Sequence, residues 1–185
     1  MVDKFFTWTN ELIPNKFKDL TNDHPRMVIP FRDADGKVFA YQGRAFGKEQ
    51  PKYITIVLDK NEKKIFGLDR IDYNRSILIC EGPIDSFFLP NCIAVAQGDL
   101  RLPQYKEKST LVFDNEPRNR EIVKNIEKAV EEGYSVVIWP QDIEEKDIND
   151  MIISGLTNVE ISDIIHRNTF SGLQAKTQLS HWKKI

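Results

Sequence analysis

Short, almost wholly apolar runs alternate with helix-like stretches in the second half of the chain, and this alternation constrains the fold most. The runs are ILIC (77–80), IAVA (93–96), TLVF (110–113) and SVVIWP (135–140). Runs without alternating polar residues are typical of strands buried on both faces of a parallel sheet. The pattern therefore predicts an α/β fold in which helices cover a parallel-type sheet.

Helical periodicity fills the segments between and after these runs. Residues 117–132 carry apolar side chains at helical spacing, Pro117 suits the first helical position, and Gly133 follows the last turn. The closing part of the chain predicts three further helices, over residues 147–154, 158–167 and 171–182. Trp182 in the last of them is interpreted as a residue that packs in the core or closes the domain.

The first half has a different character. The runs MVIPF (27–31), KVFAYQGRAF (37–46) and KYITIVL (52–58) are separated by turn sequences, which predicts a small antiparallel or mixed β-sheet. The first twenty residues predict a short amphipathic helix that packs on it. We therefore expect a mixed α+β subdomain over residues 1–75 and an α/β domain over residues 76–185.

Composition narrows the class of protein without naming a function. The chain has 185 residues, a formal net charge of −2 and two cysteines. This length suits one domain, or one domain with a smaller subdomain. The cysteines have no zinc-ligand spacing, and no apolar run has the length of a signal peptide or a membrane span. Positive charge that binds nucleic acid must be local, because the total charge is slightly negative.

Acidic residues follow three of the apolar runs. Glu81 comes directly after ILIC, Asp114 and Glu116 directly after TLVF, and Asp147 in the acidic segment that follows the last run. Thirty-three residues separate Glu81 from Asp114, and again Asp114 from Asp147, close to the length of one βαβ unit. In an open α/β sheet, ligands bind outside the carboxyl ends of the strands. We expect these acids to share one edge and to hold Mg²⁺ or Mn²⁺.

Neighbouring residues have two interpretations each. Acids after strands also cap helices or face solvent, so Asp85 is expected either to support a metal ligand or to cap a short helix. Lys146 is expected to balance charge or touch phosphate, unless it is simply solvated. Gly82 is expected to make a turn that other residues do not readily adopt.

The acidic motifs resemble those of the Toprim family. LICEGPID (78–85) resembles the strand that ends in glutamate, and LVFDNEP (111–117) resembles the strand that ends in D-x-D, with Glu116 in place of the second aspartate. EKDIND (145–150) resembles the K-D-x-D of primases, with Asn149 at the second acidic position. The resemblance implies a Toprim fold in which Glu81, Asp114 and Asp147 are catalytic and, with Glu116, bind metal.

The upstream half favours the primase branch of that family. IPFRDADGKVFAYQGRAF and PKYI (29–54) resemble the segment before the Toprim fold in primases of bacterial and tailed-phage type. The resemblance implies a DNA primase that makes RNA primers by nucleotidyl transfer. Arg44 and Lys52 would then bind the ribonucleoside triphosphate or the single-stranded DNA template, together with Asp85 and Lys146.

The same resemblance implies partners and a location. A replicative helicase is the expected partner, and full-length primases of this kind carry a zinc-binding module that is absent from these residues. The chain is then a fragment of a longer protein or works with a separate zinc-binding subunit. A phage-encoded primase would act in the host cytoplasm, and no contact with a membrane is expected.

Two other functions use the same acids. A Toprim nuclease would use the same metals with water as the nucleophile, and a degenerate Toprim module would only bind nucleic acid. A topoisomerase is less compatible with the length of the chain. A receiver domain of flavodoxin-like fold would need an acidic pair after its first strand, which Glu81-Gly82 does not supply.

Overall fold

The structure is a computed structural model that describes residues 1–96 and 98–185. The chain divides into two compact units, Met1–Lys64 and Ile65–Ile185. The predicted division into an α+β subdomain over residues 1–75 and an α/β domain over residues 76–185 stays a prediction. The compact second unit starts earlier because the two-residue strand Ile65–Phe66 pairs with Ala94 and Val95.

The first unit is a helix on a three-stranded antiparallel sheet of order β1-β2-β3. Its elements are α1 (Phe5–Leu12), β1 (Arg26–Arg32), β2 (Val38–Ala45) and β3 (Tyr53–Val57). The register places Gly43 of β2 between Val28 and Ile54. A Cβ at Gly43 would lie 2.4 Å from the Phe5 ring, so this glycine lets the helix pack closely on the sheet.

The second unit contains a six-stranded sheet of order β4-β6-β5-β7-β8-β9. Its strands are β4 (Ile65–Phe66), β5 (Ile77–Cys80), β6 (Cys92–Val95), β7 (Ser109–Val112), β8 (Ser135–Val137) and β9 (Thr169–Phe170). The four central strands are parallel, as their apolar sequences predict, and β4 and β9 add antiparallel edges. The edge strands were not predicted because two residues are too few to show a period.

Residues 65–96 and 98–185 of the second unit contain four α-helices. They are α2 (Arg120–Glu131), α3 (Ile148–Ser154), α4 (Asn158–Arg167) and α5 (Gly172–Trp182), and α2 packs against β8 and α5. The expectation that α2 begins at Pro117 was wrong. Asn119 is the N-cap, and its side chain accepts hydrogen bonds from the backbone of Glu121 and Ile122.

The strand order positions the acids. β5, β7 and β8 are neighbours and run in the same direction, so the loops at their carboxyl ends leave the sheet side by side. These loops begin at Glu81, at Phe113 and at Ile138. The predicted shared edge is therefore a feature of the fold.

Candidate functional site

Glu81 and Asp114 form the centre of the acidic edge. Glu81 directly follows β5, and the backbone N–H of Asp114 donates a hydrogen bond of 3.2 Å to its Oε1. Both side chains are only partly exposed, that of Asp114 by 22%. The Glu81 carboxylate thus contacts the backbone of Asp114 across the neighbouring strands β5 and β7.

The proximity of these acids changes their proton affinity. Burial and the neighbouring charge of Glu81 raise the pKa of Asp114 to about 8. Burial also raises the pKa of Glu81, although the hydrogen bond from Asp114 opposes that shift. A carboxyl that resists ionisation near neutral pH marks a site whose negative charge is incompletely compensated by the protein.

Lys146 supplies part of the compensation. Its Nζ lies 3.4 Å from Glu116 Oε1 and 3.8 Å from Asp114 Oδ2. Burial works against the charged lysine, but the carboxylates of Glu116 and Asp114 raise its pKa above the ordinary value. Of the three interpretations of Lys146, charge balance is the one that these distances support.

Asp147 and Asp85 both bind the start of α3. The Asp147 side chain caps the helix, accepting a hydrogen bond of 2.8 Å from the backbone of Asp150. Asp85 Oδ1 accepts one of 2.9 Å from the backbone of Asn149. The charge of each also acts on Asp114, so both belong electrostatically to the acidic edge. This hydrogen bond of Asp85 goes to α3, and the expected cap on the short helix after Glu81 stays a prediction.

Glycine occupies position 82 for a different reason from the one expected. Its φ is not among the positive values of the chain, so no special turn requires glycine here. A Cβ at this position would instead lie 2.1 Å from Asp85 Oδ2. Glycine therefore makes room for the Asp85 carboxylate that reaches α3.

The side chains do not form a preassembled metal cage. Over residues 1–96 and 98–185, no group of three His, Cys, Asp or Glu side chains is close enough together to hold a metal ion. The donor chemistry still suits a hard divalent cation, because carboxylate oxygens converge where Asp114 is difficult to ionise.

Asn115 is a functional candidate that the sequence did not reveal. It lies between Asp114 and Glu116, and its side-chain amide donates hydrogen bonds to the backbone oxygens of Ile143 and Glu145. Its Oδ1 accepts a bond from the indole of Trp182, 67 residues away. Only the spatial arrangement of distant segments shows this role.

Arg44 and Lys52 share one aromatic neighbour in the first unit. Arg44 lies opposite Tyr53 in the β2–β3 register. The Arg44 Cζ and the Lys52 Nζ lie 5.8 Å and 5.7 Å from the centre of the Tyr53 ring. We call these three residues the basic cluster.

No helix in the described part of the chain is long and apolar enough to cross a membrane.

Comparisons with known proteins identify relatives. No protein-family model matches the chain. The DNA primase of Enterobacteria phage T4 is 39% identical over 181 residues, which are 95% of this chain and 52% of the phage protein. The chain thus spans about half the length of this relative.

Solved structures share the fold. The zinc-binding and RNA polymerase domains of Aquifex aeolicus primase match with a TM-score of 0.62 and 22% identity, covering 91% of this chain and 48% of that one. A DnaG primase catalytic domain solved with bound single-stranded DNA matches with a TM-score of 0.59 and 16% identity, covering 78% and 52%.

These matches confirm the predicted resemblance to primases and the predicted mixed α/β fold class. The sequence match reaches almost every residue of both compact units, and the structural matches carry the fold. The chain is therefore a relative of the DNA primases and has the fold of their RNA polymerase domains.

Proposed function

We propose that this chain is the catalytic region of a DNA primase, which joins ribonucleotides on a single-stranded DNA template by metal-dependent nucleotidyl transfer. The acidic edge carries the proposal, because Asp114, beside Glu81, has its pKa raised to about 8. The 39% identity to a phage primase supports the choice of reaction.

The proposed metal ligands are Glu81, Asp114, Glu116 and Asp147. Mg²⁺ or Mn²⁺, when bound, would neutralise charge on the transferred phosphoryl group and help activate the attacking hydroxyl. Asp114 and Glu116 would exchange their contacts with Lys146 for contacts with the cation. Asp147 would release the backbone of Asp150 to join them.

Lys146 has a proposed role of its own. Its Nζ is within 4 Å of two proposed ligands and its side chain is half exposed, so it can reach a phosphate at the acidic edge. A lysine is a mobile point charge suited to phosphate oxygens. Asp85 would act through α3, by holding the backbone of Asn149 beside the proposed ligand Asp147.

The basic cluster would bind the other charged parts of the substrates. Arg44 and Lys52 supply cations for triphosphate or template phosphates. The Tyr53 ring between them offers a surface on which a base can stack. A DnaG catalytic domain of the same fold was solved with bound single-stranded DNA, which supports the proposal of a DNA template for this chain.

Two partners complete the proposal. The Aquifex structure combines zinc-binding and RNA polymerase domains, which supports the need for a zinc-binding module beyond these residues. A replicative helicase is the second proposed partner, by resemblance to phage primases.

Primer synthesis on single-stranded DNA tests this function. Wild type, Glu81→Gln and Asp114→Asn are compared, with labelled ribonucleotides and Mg²⁺ or Mn²⁺, in the presence and absence of a separate zinc-binding module. Asp163→Asn, which changes an exposed acid on α4, is the matched control. We expect short RNA products from wild type and the control only. Degraded template in place of products would indicate a nuclease, and absence of both would contradict catalysis.

A further inference from the structure

We infer that Asn115 is a positioning residue, which sets the acidic edge for cation binding and is itself held in place by Trp182. The inference rests on the proposed function, because it assigns a role toward the same cation. Asn115 is not a proposed ligand. It acts through the loop 141–147, which carries Lys146 and Asp147.

Asn115 ties that loop to the end of β7. Its Nδ2 donates to the backbone oxygens of Ile143 at 2.9 Å and Glu145 at 3.1 Å. Its own backbone N–H donates to the backbone oxygen of Lys146 at 2.6 Å. Three carbonyl groups of a loop without helix or strand are thus held by one residue.

The orientation of the Asn115 amide is fixed by its partners. Carbonyl oxygens only accept hydrogen bonds, so the group that faces Ile143 and Glu145 must be the NH₂. The Trp182 indole only donates, so the group 3.0 Å from its Nε1 must be the oxygen. Both donors and the acceptor of the amide are therefore in use, and no rotated arrangement satisfies the same partners.

Trp182 is held independently of Asn115. It is 6% exposed at the end of α5. The residues after it bind α2 and the segment before α2. Lys183 Nζ lies 2.8 Å from Glu127 Oε1 of α2, and the Lys184 backbone N–H donates a hydrogen bond of 2.8 Å to the backbone oxygen of Pro117. The indole N–H is thus presented to Asn115 from a fixed position.

The arrangement links the two groups of proposed ligands. Asp114 and Glu116 flank Asn115 in sequence, while Lys146 and Asp147 are at the end of the loop that it holds. Residues that orient metal ligands change metal affinity or activity by about 10–100-fold when altered. The same range is expected if the loop 141–147 is released from Asn115.

Mn²⁺ binding to the folded chain, measured from the electron paramagnetic resonance of the free ion, tests the inference. The temperature is kept well below the melting point of every variant. Asn115→Leu removes the amide at similar size and should raise the Kd at least about tenfold. Trp182→Phe removes the indole N–H together with part of the ring and should raise the Kd by about threefold through loss of the hydrogen bond.

Trp139→Phe is the matched control. The Trp139 Nε1 donates a buried hydrogen bond of 2.8 Å to Phe113 O, directly before Asp114, and Trp139 is not among the hydrogen-bond partners of the Asn115 side chain. We expect its Kd for Mn²⁺ to stay within about twofold of wild type, even if its melting temperature falls as far as that of Trp182→Phe. Equal weakening in both tryptophan variants would overturn the inference, because general loosening would explain it.

Hydrogen–deuterium exchange gives a readout that needs no metal. Asn115→Leu should increase exchange across residues 143–147 while leaving α4 unchanged, and unchanged exchange in this loop would overturn the inference. Should Asn115→Leu not fold, Trp182→Phe carries both measurements. Wild type that binds no Mn²⁺ would overturn the proposed metal site and this inference with it. Wild-type affinity that persists in Asn115→Leu would overturn the inference alone.

Discussion

The acidic edge gathers negative charges and the basic cluster gathers positive charges, and the two regions hold them in different ways. Glu81 and Asp114 are partly buried and have raised pKa values, and the Glu81 carboxylate accepts a hydrogen bond from the backbone of Asp114. Arg44 and Lys52 rest against a single ring. The repulsion between acids that the fold holds close together is relieved when a cation binds. Solvated cations interact strongly only when an anionic partner binds to them. The fold thus holds the acids near one another before a cation binds, although not as a complete metal cage, whereas the cations of the basic cluster remain adaptable.

The largest effect should come from the centre of the acidic edge. Asp114→Asn removes a proposed ligand while keeping its size, and we expect primer synthesis to fall more than about 100-fold. The rate is measured at saturating metal and nucleotide, per mole of folded protein. Activity within tenfold of wild type would show that Asp114 is not a metal ligand needed for catalysis. The contrast between the acidic edge and the basic cluster would then be lost.

The same variant should have the opposite effect on stability. The folded protein keeps a proton on Asp114 up to about pH 8, which the unfolded chain releases at the ordinary pKa of an aspartate. The contribution of this group to stability is therefore greatest at low pH and declines as the pH rises toward 8. We expect metal-free Asp114→Asn to be about 1–2 kcal/mol more stable than wild type near pH 8.

Urea denaturation in the presence of a chelator measures this difference. The advantage of Asp114→Asn should shrink at about pH 5, where the folded wild type is protonated at this position. Asp163→Asn serves as the control and should follow wild type at both pH values. A variant that is less stable than wild type near pH 8 would show that Asp114 is not under electrostatic strain.

A smaller effect should come from the support of α3. Gly82→Ala pushes a Cβ against Asp85 and disturbs its hydrogen bond to Asn149. We expect the free energy of unfolding to fall by about 1 kcal/mol. In an Asp85→Ala background the same change should have little further effect, because its neighbour is gone. Additive effects in this double-mutant cycle would show that the contact with Asp85 does not explain Gly82.

The smallest effect should come from the basic cluster. Arg44→Ala and Lys52→Ala should each weaken binding of single-stranded DNA by a few fold, with a salt dependence shallower by about 0.7 in log–log slope for each lost phosphate contact. Fluorescence anisotropy at several salt concentrations measures both. Exposed Lys60→Ala, on the loop after β3, is the control. An unchanged salt dependence in both variants would show that the basic cluster does not contact the phosphates of single-stranded DNA.

The sequence predicted the features that depend on local patterns. Apolar runs such as ILIC identified the central strands, and the acids that follow them identified the edge where Glu81 and Asp114 meet. The carboxyl ends of parallel strands lie together whatever the loops between them do, so this part of the candidate site was predictable.

Features that depend on long-range contacts were not predictable in the same way. Asn115 and Trp182 are 67 residues apart, and the sequence around neither residue predicts the hydrogen bond between their side chains. Pro117 suited a helix start, but the side chain of Asn119 supplied better capping two residues later. Gly82 was expected to allow a special backbone turn, whereas its lack of a side chain leaves space for the Asp85 carboxylate.

The position of a bound cation shows whether the acidic edge is a metal site. Crystals of the chain soaked in Mn²⁺ give an anomalous signal that locates the ion without assumptions about activity. We expect a peak at the acidic edge within about 2.0–2.3 Å of a carboxylate oxygen of Asp114, with Lys146 Nζ moved away from it. Mn²⁺ bound only elsewhere, or absent from this edge at saturating concentration, would contradict the claim that these strands carry the metal site of a primase.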